Sequence, residues 1–167
     1  MSKAWDNALI TELERFFTEA GMTVSAEMFG DRQVLVSEYG AQNAPEDCNV
    51  SVEHLTEDST VLFIMFTVRS GLDAAQTADV LAVLPYLNKY LSVGCFGIAE
   101  ADGYFYFSTA MVLDEQADHA KIIRMITATL GIAEATVYEA IDMIAPVLEG
   151  ETPVSGLLNE DTGIIQF

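Results

Sequence analysis

The sequence predicts an α+β domain, an antiparallel sheet of about five or six strands with flanking helices in the order α-β-β-β-α-β-β-α. Three observations lead there. Apolar residues recur at steps of three and four near both ends of the chain and alternate at steps of two between them. Strand follows strand across short turns rich in Gly, Asp, Pro and Ser. At 167 residues, 51% hydrophobic and 20% charged, the chain has the size of one domain and enough apolar surface to offset its ordering entropy. Residues 1–150 therefore read as a single domain, and 151–167 as a C-terminal tail that frays by default.

Trp5, Leu9, Leu13, Phe16, Phe17 and Ala20 place one apolar stripe on an opening helix that Gly21 ends. The period then changes to two. Val34 and Val36 alternate with Leu35 and Ser37, and Cys48, Val50 and Val52 alternate with Asn49, Ser51 and Glu53, with turns at Gly30-Asp31, Gly40 to Asp47 and Glu57-Asp58-Ser59. The run Val61 to Val68 is apolar on both alternating faces, as expected of a central strand covered on both sides by helices or by a partner.

Asp73 can cap a second helix whose stripe runs through Ala74, Ala78, Leu81, Leu84 and Leu87, with Pro85 predicting a kink or an early end. Leu91 to Ala99 and Tyr104 to Val112 read as two strands joined at Glu100 to Gly103, whose Asp-Gly pair is a hairpin signal. A last helix, Asp114 to Glu149, carries a stripe from Ile122 through Ile126, Leu130, Ala133, Val137, Ile141 and Ile144 to Leu148, and persists across Gly131. At 1.5 Å per residue it would be on the order of 50 Å long, more than a domain this small covers alone. Part of it, Val137, Ile141, Ile144 and Leu148, is expected to face another copy or another protein.

Charge and chemistry narrow the function. The 26 acidic and 7 basic residues give a net charge of −19, which repels nucleic acid and anionic lipid; it serves solubility or steers a basic partner. No run approaches the roughly 20 apolar residues of a membrane helix. Met1 to Phe17 lacks the basic, apolar and small-residue regions of a signal peptide, so a cytoplasmic protein is expected. Cys48 and Cys95 lie in strand-like segments, where a reduced pair of small hydrophobes is expected.

The two histidines, His54 and His119, have no ligand partners at metal-binding spacing and read as structural or surface groups. No serine sits in a nucleophile elbow. Gly94 and Gly97 flank Cys95-Phe96 in a strand rather than opening a helix, which suits a bulge or a close crossing, not a phosphate loop. Asn159 to Gly163 lacks the ligand spacing of a calcium loop. No catalytic residue, metal or cofactor is therefore expected. In the cluster Tyr104-Phe105-Tyr106-Phe107, one alternating pair should be core and the other either core, covered by a second copy, or a recognition surface.

The segment Leu84-Pro85-Tyr86-Leu87-Asn88-Lys89-Tyr90, then Val93 to Ile98, Asp102-Gly103 and the aromatic strand resembles the YbjN family of proposed bacterial sensory transduction regulators. That family looks like the type III secretion (Tir) chaperone fold, and the element order matches over nearly the whole chain. The stretch Thr23 to Phe29 and the long final helix depart from that pattern. The resemblance implies a chaperone that holds a partner segment in extended form, or a regulator.

The expectation is thus a non-enzymatic, dimeric protein-binding domain, chaperone-like or regulatory, with Phe63, Met65, Phe105 and Phe107 as the partner-binding residues. The alternative is a regulatory module that senses a small molecule or cation between helix and sheet.

Overall fold

The computed structural model describes residues 3–41, 43–56, 59–89, 91–114 and 117–157. Helix α1 (Lys3–Glu19) buries Leu9, Leu13 and Phe17 of the expected stripe and Ile10 beside them, while Phe16 and Ala20 are exposed. The Thr23 to Phe29 stretch forms a strand of its own, β1 (Val24–Phe29), hairpinned to β2 (Arg32–Glu38) across Gly30-Asp31. With β3 (Asp47–Thr56) and β4 (Ser59–Arg69), four strands precede α2 (Ala74–Lys89). Strands β5 (Cys95–Ala99) and β6 (Tyr104–Val112) complete a six-stranded sheet in the order β1-β2-β3-β4-β6-β5, every neighbouring pair antiparallel. The α+β class stands, with β1 as the sixth strand. The turn at Glu57-Asp58 and the loop at Asn159 to Gly163 lie outside the described residues.

Helix α2 starts on a reciprocal cap. Asp73 Oδ1 accepts from the backbone N–H groups of Ala75 and Gln76 at 2.8 and 2.9 Å, while Gln76 Oε1 accepts from the Asp73 N–H at 3.1 Å. Two expectations for this helix are corrected. Pro85 does not end it, because Pro85 and Leu81 are exposed and water can reach the Leu81 carbonyl that loses its partner. The buried stripe is Val80, Val83 and Leu87, while Ala74, Ala78 and Leu81 face outward. Both stripes obey the helical period and share Leu87, and Leu84 of the expected one is half-buried against the core.

In the last turn of α2, Asn88 acts as a side-chain stand-in for a strand. Its amide donates to the Phe96 carbonyl at 2.9 Å and accepts from the Phe96 N–H at 2.7 Å, which satisfies backbone groups on the outer edge of β5. The strand is shorter than expected, since Leu91 to Gly94 lead into it rather than joining it.

Helix α3 (His119–Leu148) runs for 30 residues without a break at Gly131, about 45 Å at 1.5 Å per residue. Asp118 caps it, Oδ1 accepting from the Lys121 N–H at 2.8 Å. The chain covers this helix itself, contrary to expectation. Val137, Ile141 and Ile144 are buried in the protein's own core, and Leu148 is half-buried against it. Length is matched by two flanking helices: Glu12 of α1 meets His119 at one end, and Gln76 of α2 donates to the Leu148 carbonyl at the other. A short turn of helix, α4 (Val154–Leu157), lays Val154 and Leu157 on the same core.

The hairpin joining β5 to β6 is held by a close backbone approach. Gly103 adopts a left-handed φ of 58°, and a Cβ there would sit 2.3 Å from the Leu72 carbonyl oxygen. The Leu72 N–H in turn donates to the Gly103 carbonyl at 3.0 Å. Gly103→Ala combines a strained φ with a clash on rigid backbone, so it should destabilise the fold by about 2 to 4 kcal/mol. Urea unfolding checks this: the midpoint should fall while the denaturant slope stays unchanged.

Candidate functional site: the open face of the sheet

Strand alternation sorts the sheet into two faces. Leu35, Cys48, Val50, Val52, Leu62, Ile64, Phe66, Phe96, Phe105 and Phe107 belong to one buried cluster with α1, α2 and α3. Among the described residues, the helices contribute to that cluster alone, and the other face carries no helix.

The register lays this open face out in rows. Val34, Ser51, Phe63 and Ala110 are neighbours across β2, β3, β4 and β6. The next row is Val36, Asn49, Met65, Ser108 and, on β5, Cys95. These two central rows carry no formal charge between β2 and the far edge, and the one carboxylate beside them is Glu27 on β1. Charged groups stand at the ends. Arg32 pairs with Glu53 at one end, and Glu38 and Asp47 stand opposite one another at the other.

At the acidic end, polar groups satisfy one another. Asp47 Oδ1 accepts from Asn49 at 2.6 Å and from the Thr67 hydroxyl at 2.7 Å. With its proton committed to Asp47, Thr67 accepts from the Tyr104 hydroxyl at 2.5 Å. Burial raises the Tyr104 pKa, the Thr67 contact opposes that, and the Asp47 and Glu46 charges add to the rise. Tyr106 lies beside Tyr104, ring centroids 6.0 Å apart, and rests on Gly97, where a Cβ would come within 2.6 Å of its ring. Gly97 thus marks a close crossing, as its place in a strand suggested.

The four expected partner-binding residues separate into two pairs. Phe63 and Met65 sit together at the centre of the open face, half-buried. Phe105 and Phe107 are fully buried beneath the helices and are core, which corrects the expectation that they form a surface. Their tyrosine neighbours, Tyr104 and Tyr106, take the open face instead, together with Val34 and Val36. On that face the Tyr104 hydroxyl finds the polar partner that a phenylalanine does not need.

Both histidines meet carboxylates of α1. His54 Nε2 lies 2.8 Å from Asp6 Oδ2, and its Nδ1 lies 3.1 Å from Thr60 Oγ1. An acid–imidazole–hydroxyl chain is the pattern that activates a nucleophile. Thr60, however, is only 2% exposed, so its hydroxyl faces the interior and not a substrate. His119 Nδ1 lies 2.9 Å from Glu12 Oε2. These contacts tie α1 to β3 and to the start of α3. No group of three or more His, Cys, Asp or Glu side chains gathers for a metal among the described residues, and none of their helices is long and apolar enough to cross a membrane. Cys48 and Cys95 are free thiols on opposite faces, the first buried and the second exposed.

No family model and no curated protein matches the chain. Among solved structures it is similar to the crystal structure of YbjN, a proposed transcription regulator from E. coli, at 11% identity and a TM-score of 0.48, over 78% of this chain and 89% of that one. A likeness this distant carries no argument about what the chain binds or does.

Proposed function

We propose that the protein is a non-enzymatic binding module that closes the open face of its sheet against a second copy, and that the resulting homodimer holds a partner protein segment, as a chaperone or regulator does. The observation that carries this reading is β4. It is apolar on both faces, and only one face is covered by the described helices.

A second copy suits the face because its two central rows are neutral. Two chains of net charge −19 repel at long range, but a contact centred on Phe63 and Met65 brings no carboxylates together at its middle. Sheets pair in this way about 10 Å apart with their side chains interdigitated. Among the described residues, the segment to be held can add as a strand beside β1. The edge of β5 is engaged by Asn88, whereas β1 is the opposite terminal strand of the sheet and exposes Met28 and Phe29.

Light scattering should give a particle of two 18.2 kDa chains. Because the net charges repel, association should strengthen as salt rises, the reverse of binding to a basic partner. Met65→Glu sets like charges against each other in the closed face and should weaken the dimer by about 100-fold or more, several kcal/mol by that mechanism. Ile132→Glu, exposed on α3 away from this face, should leave it intact. A wild-type monomer at high micromolar concentration, or a Met65→Glu dimer of unchanged strength, would sink the reading.

Cysteine reactivity supplies an independent check. Cys95 sits in the central row and is exposed, so a thiol reagent should modify it readily in dilute protein and more slowly as concentration rises. Cys48 should resist under both conditions until the protein unfolds. A Cys95 rate that does not depend on protein concentration contradicts pairing through this face.

A further inference from the structure

On the helix-covered side, a cavity of about 170 Å³ opens between α3, the end of α1 and strands β1 to β4. Phe17, Leu35, Val50, Phe66 and Leu130 form its walls. An apolar cavity of about 150 Å³ is enough to take a benzene ring, so this one has room for a molecule of that order. Gly131 lines it from α3, and a side chain there would meet no atom within 4 Å.

Two hydroxyls of the lining have committed their protons to backbone carbonyls. The Ser37 hydroxyl donates to the Thr23 carbonyl at 3.1 Å, and the Thr127 hydroxyl donates to the Ile123 carbonyl at 2.8 Å. The Tyr39 hydroxyl lies near the Glu134 carboxylate, whose charge adds to burial in holding the phenol protonated. What remains toward the cavity is acceptor capacity, dominated by the Glu134 charge on the wall. A carboxylate ligand would meet repulsion from Glu134; a donor, above all a cationic one, would find a partner there. The aromatic rings of Tyr39 and Phe66, 6.3 Å apart, add faces that favour a cation. Burial, more than any neighbouring charge, pushes the Tyr39 hydroxyl and the Cys48 thiol well above their usual ranges.

We propose that this cavity is a binding site for a small apolar amine, whose hydrocarbon body fills the space between α3 and the sheet and whose ammonium donates to Glu134. The site lies on the opposite side of the sheet from the open face, so its occupancy and the dimer can be tested separately.

Calorimetry with three compounds of similar size tests the proposal: phenethylamine, ethylbenzene and phenylacetate. Phenethylamine should bind at least about 10-fold more tightly than ethylbenzene, the scale of one charge-assisted hydrogen bond. Phenylacetate should bind least. Glu134→Gln should reduce phenethylamine to the level of ethylbenzene, whereas Glu139→Gln, on the exposed side of the same helix, should change nothing. Glu134→Asp, which keeps the charge, should retain the preference for the amine. Gly131→Leu favours the helix and should abolish binding of both neutral and cationic compounds by occupying the mouth. Equal binding of amine and carboxylate, insensitivity to Glu134→Gln, or failure of all three compounds to bind would each overturn the site.

Discussion

The structure turns on one strand. Val61 to Val68 in β4 is apolar on both alternating faces, and it lies between β3 and β6, inside the sheet. Ile64 and Phe66 are answered by α1, α2 and α3, which pool their stripes into one core. Phe63 and Met65 look the other way. The proposed dimer follows from that asymmetry, because an apolar sheet centre with no helix over it is stable in water only at the cost of hydrating apolar side chains.

The remaining features organise themselves around the covered face. Helix α3 is long, yet it stays within the protein because α1 meets its start and α2 its end, through His119–Glu12 and Gln76–Leu148. Helix α1 is further held by His54 through Asp6, so both histidines tether this one helix. The two edges of the sheet are treated differently. Asn88 occupies backbone groups of β5, and nothing comparable does so for β1 among the described residues. A sheet with one open face and one open edge has separate places for a copy of itself and for an extended segment.

Much of this was legible in the residues. The stripes of α1 and α3 and the centrality of β4 follow from periods of 3.6 and 2 sustained over many residues. Alternation also splits Tyr104 and Tyr106 from Phe105 and Phe107, but it does not say which pair faces the helices; the pairing of Phe107 with Phe66 decides that, and pairing is a tertiary fact. In α2, two stripes sharing Leu87 fit the same period, and only packing separates them. The Tyr39–Glu134 contact joins residues far apart in the chain with no local pattern to announce it. The order of elements read from the residues anticipated the layering, and the stretch Thr23 to Phe29 that stood outside it became β1, which widens the sheet at one edge.

The central claim is that the Phe63 and Met65 face meets its counterpart on a second copy. Isotope-filtered NMR on an equimolar mixture of labelled and unlabelled protein reads that contact directly. Intermolecular cross-peaks should run from the Met65 methyl group to aromatic protons of Phe63 or Tyr106. Cross-peaks confined to α3, or none from Met65 at concentrations where dimers are present, would contradict it.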